Sequence, residues 1–121
     1  MGSRLPPRKL GQLGEDHAEN ELRTLGFAIL GRNVRLRGVE FDLVARRGQE
    51  LWFVEVKTRR DTRGGFPYEA IHDAKVERME SGALEFLESR ALGDLDYRFV
   101  AASLVPHDSG DGFELEWIPL V

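Results

Sequence analysis

Apolar positions along the chain follow two periods, and their order outlines a fold before any single residue is considered. Leu10, Leu13, Ala18, Leu22 and Leu25 recur at helical spacing, Gly14 shares their stripe, and Gly26 follows as a stop signal, which predicts a helix from about Leu10 to Leu25. At roughly 100° per residue, Glu15 falls at the edge of this stripe near Leu22, while Glu19 lies further toward solvent. Phe27 to Leu36 is β-like but irregular, with Gly31 and Asn33 as breaks, the pattern of a strand carrying a bulge. Val39 to Ala45 alternates, with Val39, Phe41 and Leu43 on one face and Glu40, Asp42 and Val44 on the other. After the turn Arg46-Arg47-Gly48-Gln49, the run Leu51 to Lys57 puts Leu51, Phe53, Glu55 and Lys57 on one face. Its other face, Trp52, Val54 and Val56, is wholly apolar, so the two runs form a hairpin whose second strand is covered on that side.

Thr58 to Tyr68, rich in Arg and Gly, predicts a mobile loop. Val76, Met79, Ala83, Phe86 and Leu87 predict a second amphipathic helix from about Glu69 to Leu92, stopped by Gly93. Tyr97 to Val105 reads as a buried strand, and Phe113 to Ile118 as a closing strand after the turn Asp108 to Gly112. The order is α-β-β-β-α-β-β. A helical connection of this length lets the following strand run parallel to the preceding one, which makes the fold class α/β, a mixed β-sheet with flanking helices. Residues 1–121 form a single domain, with 1–9 a flexible N-terminal arm.

Composition narrows the chemistry. With no Cys, disulfide frameworks, Cys-based zinc sites, iron-sulfur ligation and thiol nucleophiles are all excluded. The longest nearly apolar run, Phe99 to Val105, is too short to cross a bilayer, and Met1 to Lys9 has no apolar stretch of the export type; the expectation is a cytoplasmic protein without membrane attachment. The net charge of -4 argues against a polyanionic partner until it is divided by position. From Arg32 to Arg63 nine bases (Arg32, Arg35, Arg37, Arg46, Arg47, Lys57, Arg59, Arg60, Arg63) face five acids (Glu40, Asp42, Glu50, Glu55, Asp61), giving +4 there and -8 elsewhere. This basic half coincides with the predicted strands, so its charge either converges on one surface or is an even scatter of solvated arginines.

Asp42 and Glu55-Val56-Lys57 are the sharpest chemical feature, because their polar side chains fall near the ends of otherwise apolar strands. Two carboxylates across a hairpin can bind a hard ion such as Mg²⁺ or Mn²⁺ with the carbonyl of Val56, and Lys57, on the side of Glu55, can orient a water or offset charge on a phosphate. The competing reading is a cross-strand surface ion pair of little energetic value. Glu15, rigidly held at a stripe edge, is a third candidate carboxylate. His17, His72 and His107 lie on three separate elements without metal-ligand spacing.

Gly14-Glu15, Gly38 through Glu40-Phe41-Asp42-Leu43, Phe53-Val54-Glu55-Val56-Lys57-Thr58-Arg59 and Pro67-Tyr68-Glu69-Ala70-Ile71, followed by Lys75 and Arg78, together resemble the YraN family of small bacterial proteins, related to PD-(D/E)xK nucleases and archaeal Holliday junction resolvases. The resemblance runs from about Leu13 to Val105; one departure is Val39, which intervenes between Gly38 and the Glu of the family's Gly-Glu-Ile-Asp motif. It implies a restriction-endonuclease-like fold and a nuclease-like site at Glu15, Asp42, Glu55 and Lys57. In that site Asp42 and Glu55 ligate Mg²⁺ or Mn²⁺, Glu15 completes the shell directly or through water, and Lys57 positions the water that hydrolyses a phosphodiester bond. Arg35, Arg37, Arg59, Arg60, Arg63 and Lys75 would meet the phosphates of a nucleic acid, DNA by preference, with Arg59 either a phosphate clamp or a solvated loop arginine. Phe66 and Tyr68 either stack on a base or simply pack. The expected activity is metal-dependent endonucleolytic cleavage of structured or branched DNA; the alternative is a non-catalytic nucleic-acid-binding or scaffold module that retains the fold. So small a domain has room for an extended DNA surface only as a homodimer or with a partner.

Overall fold

The computed structural model describes residues 5–61, 73–109 and 111–121. Its elements follow the expected order: α1 (Pro7–Thr24), β1 (Ala28–Leu36), β2 (Val39–Arg47), β3 (Glu50–Thr58), α2 (Asp73–Ser89), β4 (Asp96–Pro106) and β5 (Phe113–Pro119). The five strands form one sheet in the order β1-β2-β3-β4-β5. Neighbours are antiparallel except β3 and β4, which run parallel from Glu50↔Asp96 to Thr58↔Leu104. A parallel pair requires a crossover, and the segment containing α2 supplies it. Of the predicted loop and helix start, residues 62–72 lie outside the described residues, and with them Arg63, Phe66 and Tyr68.

Two apolar clusters lie on opposite faces of the sheet. On the α2 side Phe41, Leu51, Phe53 and Phe99 pack against Met79, Ala83, Phe86 and Leu87. On the α1 side Leu43, Ala45, Val54, Ala102 and Leu104 pack with Ala18, Leu22 and Phe27. β3 contributes Leu51 and Phe53 to one and Val54 to the other, which is why its sequence is nearly continuous apolar. Among the described residues no helix is long and apolar enough to cross a membrane.

The helix ends separate what a sequence signal can and cannot specify. α1 opens with Pro7 in its first turn and closes as a Schellman motif: Gly26, at φ 94°, donates to Arg23 O, and the buried Phe27 donates to Leu22 O. Gly26 is therefore the stop it was expected to be. In α2 the corresponding left-handed residue is Ala91 (φ 55°), with Leu92 N–H donating to Leu87 O, so the helix stops before Gly93 is reached. Burial of Leu92 and Leu95 against the α2-side core sets that end, at the cost of an alanine in a conformation that favours glycine. Leu13 and Leu25, counted in the apolar stripe of the first helix, are 39% and 42% exposed; the buried stripe is Leu10, Gly14, Ala18 and Leu22.

Gly14 lies where α1 crosses the carboxyl end of β3. A Cβ at residue 14 would stand 1.9 Å from Thr58 Oγ1 and 3.0 Å from Thr58 Cβ, so only glycine permits this approach. The Thr58 hydroxyl is itself buried without a hydrogen-bond partner among the described residues. Gly14→Ala is expected to lower stability by about 1–3 kcal/mol through overpacking, although alanine is the better helix former by about 1 kcal/mol. Urea unfolding measures it. Gly14→Ala combined with Thr58→Ala should recover part of the loss, whereas a stabilised single variant would contradict the close packing of α1 on β3.

Candidate active site

β2 and β3 are paired from Arg47↔Glu50 to Leu43↔Val54, and there the ladder ends. Beyond it β2 remains paired to β1 alone, through Phe41↔Val34, Glu40↔Arg35 and Val39↔Leu36. The backbone N–H of Val56 thus has no carbonyl on β2 to reach, and the carboxylate of Asp42 takes its place, accepting that N–H at 2.6 Å. Asp42 is where the two strands fork.

The fork overturns the simple alternation expected for β2. Val39 and Phe41 pack into the α2-side core, as expected of one face, but Leu43 packs into the α1-side core with Ala45. The strand changes phase across Asp42, and Phe41 is freed to stack against Phe99 and to meet Phe53 with ring centroids 4.7 Å apart. A shift of one position exchanges the faces of every following residue, so the irregularity at Asp42 keeps both halves of β2 apolar-inward.

Burial raises the Asp42 carboxyl to about 6; the Val56 N–H works against this rise, and the negative fields of Glu15, Glu55 and Glu40 add to it. An anion kept in partly dry surroundings among other anions is stabilised by any cation that reaches it, a proton or a metal ion. The other carboxylates have organic counter-ions. Glu55, half-buried on β3, lies 3.5 Å from Lys75 Nζ on α2. Glu15, on α1, lies 3.5 Å from Arg32 Nε, and the same guanidinium meets Asp16 at 2.8 Å and Glu19 at 3.3 Å. Glu15 and Glu19 are equally sheltered, their side chains 23% and 22% exposed, because Arg32 draws both toward β1; Glu19 is not the more solvated of the two.

Lys57 extends from β3 beside Ser103 and is exposed, without an ion pair among the described residues. Arg59 donates its backbone N–H to Leu104 O and has its Nε buried, which sets it apart from a freely solvated loop arginine. The remaining basic candidates are dispersed. Arg35 is exposed and pairs with Glu40 at 2.8 Å, Arg60 donates from Nη2 to Leu5 O, and the backbone N–H of Arg37 donates to Glu85. Arg46 and Arg47, at the far end of the hairpin, bond Gly48 O and Leu25 O, and Arg47 also covers the Phe27 ring. Within residues 32–63 Arg35 pairs with Glu40 and Arg47 with Glu50, whereas Arg32 meets Glu15, Asp16 and Glu19 from α1.

Arg32 is the residue that sequence reasoning missed as part of the site. Its signal was present on the first helix: Glu15, Asp16 and Glu19 crowd acids onto adjoining positions, and such a cluster needs a cation from a neighbouring element. Glu40 was likewise read as a strand-face residue, not as a contributor to the field at Asp42.

In donor type and charge, Asp42, Glu55 and Glu15 fit a hard divalent ion, and Asp42, raised chiefly by burial and further by the neighbouring carboxylates, would be stabilised as an anion by one. In position the fit is incomplete. Among the described residues no three His, Asp or Glu side chains converge closely enough to hold an ion, and Glu15 and Glu55 are each bound to a base.

The elevation of Asp42 makes stability depend on pH with a definite sign. The folded state binds the Asp42 proton more tightly than the unfolded chain, so this group destabilises the fold above pH 6 and its penalty is relieved as pH falls from about 6 toward 4. Asp42→Asn retains an acceptor for Val56 N–H without the charge. Relative to the unsubstituted protein it should gain on the order of 2 kcal/mol between pH 4 and pH 7.5, read from urea unfolding at both ends of that range. A difference independent of pH would contradict the burial of a charged Asp42.

Comparison with known proteins follows the same stretch of chain. The model of the uncharacterised protein family UPF0102 matches residues 14–104, from the glycine that packs on Thr58 to the end of the buried part of β4. Among relatives, a UPF0102 protein of Syntrophotalea carbinolica is 42% identical over 110 residues, covering 91% of this chain and 88% of its own. One of Geobacter sulfurreducens is 40% identical over 102 residues (83% and 80%), and one of Dictyoglomus turgidum 34% over 112 residues (93% and 95%). A match over so much of both chains leaves one conclusion: the protein belongs to the UPF0102 (YraN) family.

Proposed function

We propose that this protein is a Mg²⁺- or Mn²⁺-dependent nuclease that hydrolyses phosphodiester bonds in structured or branched DNA. The observation that carries this reading is the fork at Asp42: its carboxylate accepts Val56 N–H at 2.6 Å in the negative field of Glu15 and Glu55, while Lys57 extends from the same strand end. An aspartate, a glutamate and a lysine at the open end of a β-hairpin, with a further glutamate from the preceding helix, is also the arrangement implied by the resemblance to PD-(D/E)xK nucleases.

Asp42 and Glu55 would hold the ion, joined by Glu15 directly or through water. Bound there, it supplies a Lewis acid for the phosphate oxygen and a water of lowered pKa. The protein's own groups do the rest. Asp42 is fixed by Val56 N–H, so one of its oxygens keeps a constant direction. Lys57, exposed and flexible, donates to the attacking water or to a non-bridging phosphate oxygen, and its charge offsets the negative charge that grows there. Arg59, two residues beyond Lys57, and Arg37, on the turn between β1 and β2, are basic side chains that would bind the flanking backbone.

A second reading has its own observation. Glu15 and Glu55 are bound to Arg32 and Lys75, and no ready cage exists among the described residues, which favours a nucleic-acid-binding module that keeps the fold without turnover.

The readings part in one set of measurements. Junction and flap DNA should be cut with Mn²⁺ or Mg²⁺, and Asp42→Ala and Lys57→Ala should each lower the rate by about 100-fold or more, the scale of lost charge stabilisation at a reacting centre. Mn²⁺ should also raise the melting temperature, more at pH 8 than at pH 5, since a proton on Asp42 competes with the metal below about pH 6. Cleavage undiminished in both variants would remove the assigned site; salt-sensitive DNA binding without cleavage under any metal would establish the second reading.

A further inference from the structure

Two irregularities of β1 flank Arg32 and aim it at α1. The register with β2 shifts between Ile29 and Gly31, and Asn33 adopts a left-handed φ of 52°. Between them, Arg32 is the register partner of Leu43, whose side chain packs into the α1-side core, so Arg32 leaves the sheet on the α1 face. Val34, two residues on, is paired with Phe41 and packs against the α2-side core. Regular alternation would put residues 32 and 34 on one face. The turn of the backbone at Asn33, across from Asp42 between these two pairs, separates them, so β1 and β2 change phase together.

The guanidinium delivered there meets three carboxylates of α1, and not equally. Asp16 at 2.8 Å and Glu19 at 3.3 Å are hydrogen-bonded to its Nη atoms, whereas Glu15 stands 3.5 Å from Nε and is held by charge alone. Glu15 is also within range of the proposed centre, since its negative field bears on Asp42 ahead of those of Glu55 and Glu40.

We infer that Arg32 is a positioning residue that holds Glu15 against β1 and gives it up to a divalent cation shared with Asp42, while Asp16 and Glu19 keep Arg32 in place. This rests on the nuclease reading for the cation's part in cleavage, but not for its binding. A guanidinium with three carboxylates has more partners than one charge can balance, so losing the weakest contact leaves it hydrogen-bonded and anchored. Glu15 in turn gains more from an ion of double charge than from one guanidinium at 3.5 Å. The incomplete convergence of carboxylates among the described residues has one cause here, because Glu15 is turned toward β1. Arg32 thereby sets the affinity of the site: any ion that takes Glu15 must first break this contact.

The test is a double-substitution cycle on the full chain, read by calorimetric titration with Mn²⁺ and independent of any cleavage. Arg32→Gln should tighten Mn²⁺ binding by about fivefold, the scale of one partly exposed ion pair. In a Glu15→Gln background the same change should alter the affinity by no more than about twofold, which separates release of Glu15 from a general loss of positive charge. Arg23→Gln, which removes an equal charge beside Glu19 without touching Glu15, should have as little effect. The unsubstituted protein supplies a second readout: at saturating Mg²⁺ the NMR signal of Arg32 Nε–H should move, and in Glu15→Gln it should stay. An equal affinity with and without Arg32, the same gain with and without Glu15, an Nε–H signal indifferent to Mg²⁺, or no Mn²⁺ binding in any variant would overturn the inference. Binding that follows the cycle without any DNA cleavage keeps the role of Arg32 and removes the nuclease reading, whereas cleavage with an affinity blind to Arg32 removes that role alone.

Discussion

The parallel pairing of β3 with β4 is the constraint on which the remaining architecture depends. Two adjacent parallel strands cannot be joined by a tight turn, so the chain must leave the sheet and return, and it does so through α2 on one face. α1 covers part of the other face, which leaves β3 buried on both sides along most of its length. At its carboxyl end α1 still crosses one face at Gly14, while the other face carries the half-buried Glu55 and the exposed Lys57. Open α/β sheets commonly place their chemistry at such strand ends, where fixed backbone meets solvent. The site is thus a result of the topology before it is a result of any one residue.

Electrostatically, the same end of the sheet is unbalanced in a graded way. Glu15 and Glu55 are neutralised by Arg32 and Lys75, each contributed by a different element, while Asp42 has, among the described residues, a backbone N–H as its partner and is raised to about 6. Ion pairs with partly exposed members contribute little to stability, so the counter-ions can be exchanged at small cost. Asp42 differs, because burial makes its charge expensive whenever nothing positive is near. The centre therefore combines one carboxylate that demands a cation with two whose cations can be displaced.

Much of this fold was legible in the periodicity of the chain. The order of elements, the hairpin, the bulged first strand with its register shift between Ile29 and Gly31, and the glycine stop of α1 all follow from local pattern. What escaped depended on contacts between elements. The phase change of β2 arises because Val56 N–H finds a side chain instead of a strand, which no window of sequence around Asp42 contains. The end of α2 at Ala91 is set by burial of Leu92 and Leu95, against the preference that singled out Gly93. Of the proposed site, the residues Asp42, Glu55, Lys57 and Glu15 stood out as chemistry out of place on apolar elements. Their counter-ions were not, since Arg32 and Lys75 are linked to them only by the packing of β1 on α1 and of α2 on the sheet.

The close approach of Gly14 to Thr58 has a meaning beyond packing. Glu15 follows the one residue and Lys57 precedes the other, so the contact acts as a ruler between a carboxylate and an ammonium that are far apart along the chain. Neither group can drift along its element without opening or closing this gap, and the span between them is set by the absence of a single methyl group. A slightly larger residue at position 14 would therefore register twice, as the lost stability of an overpacked contact and as an altered span between the Glu15 carboxylate and the Lys57 ammonium.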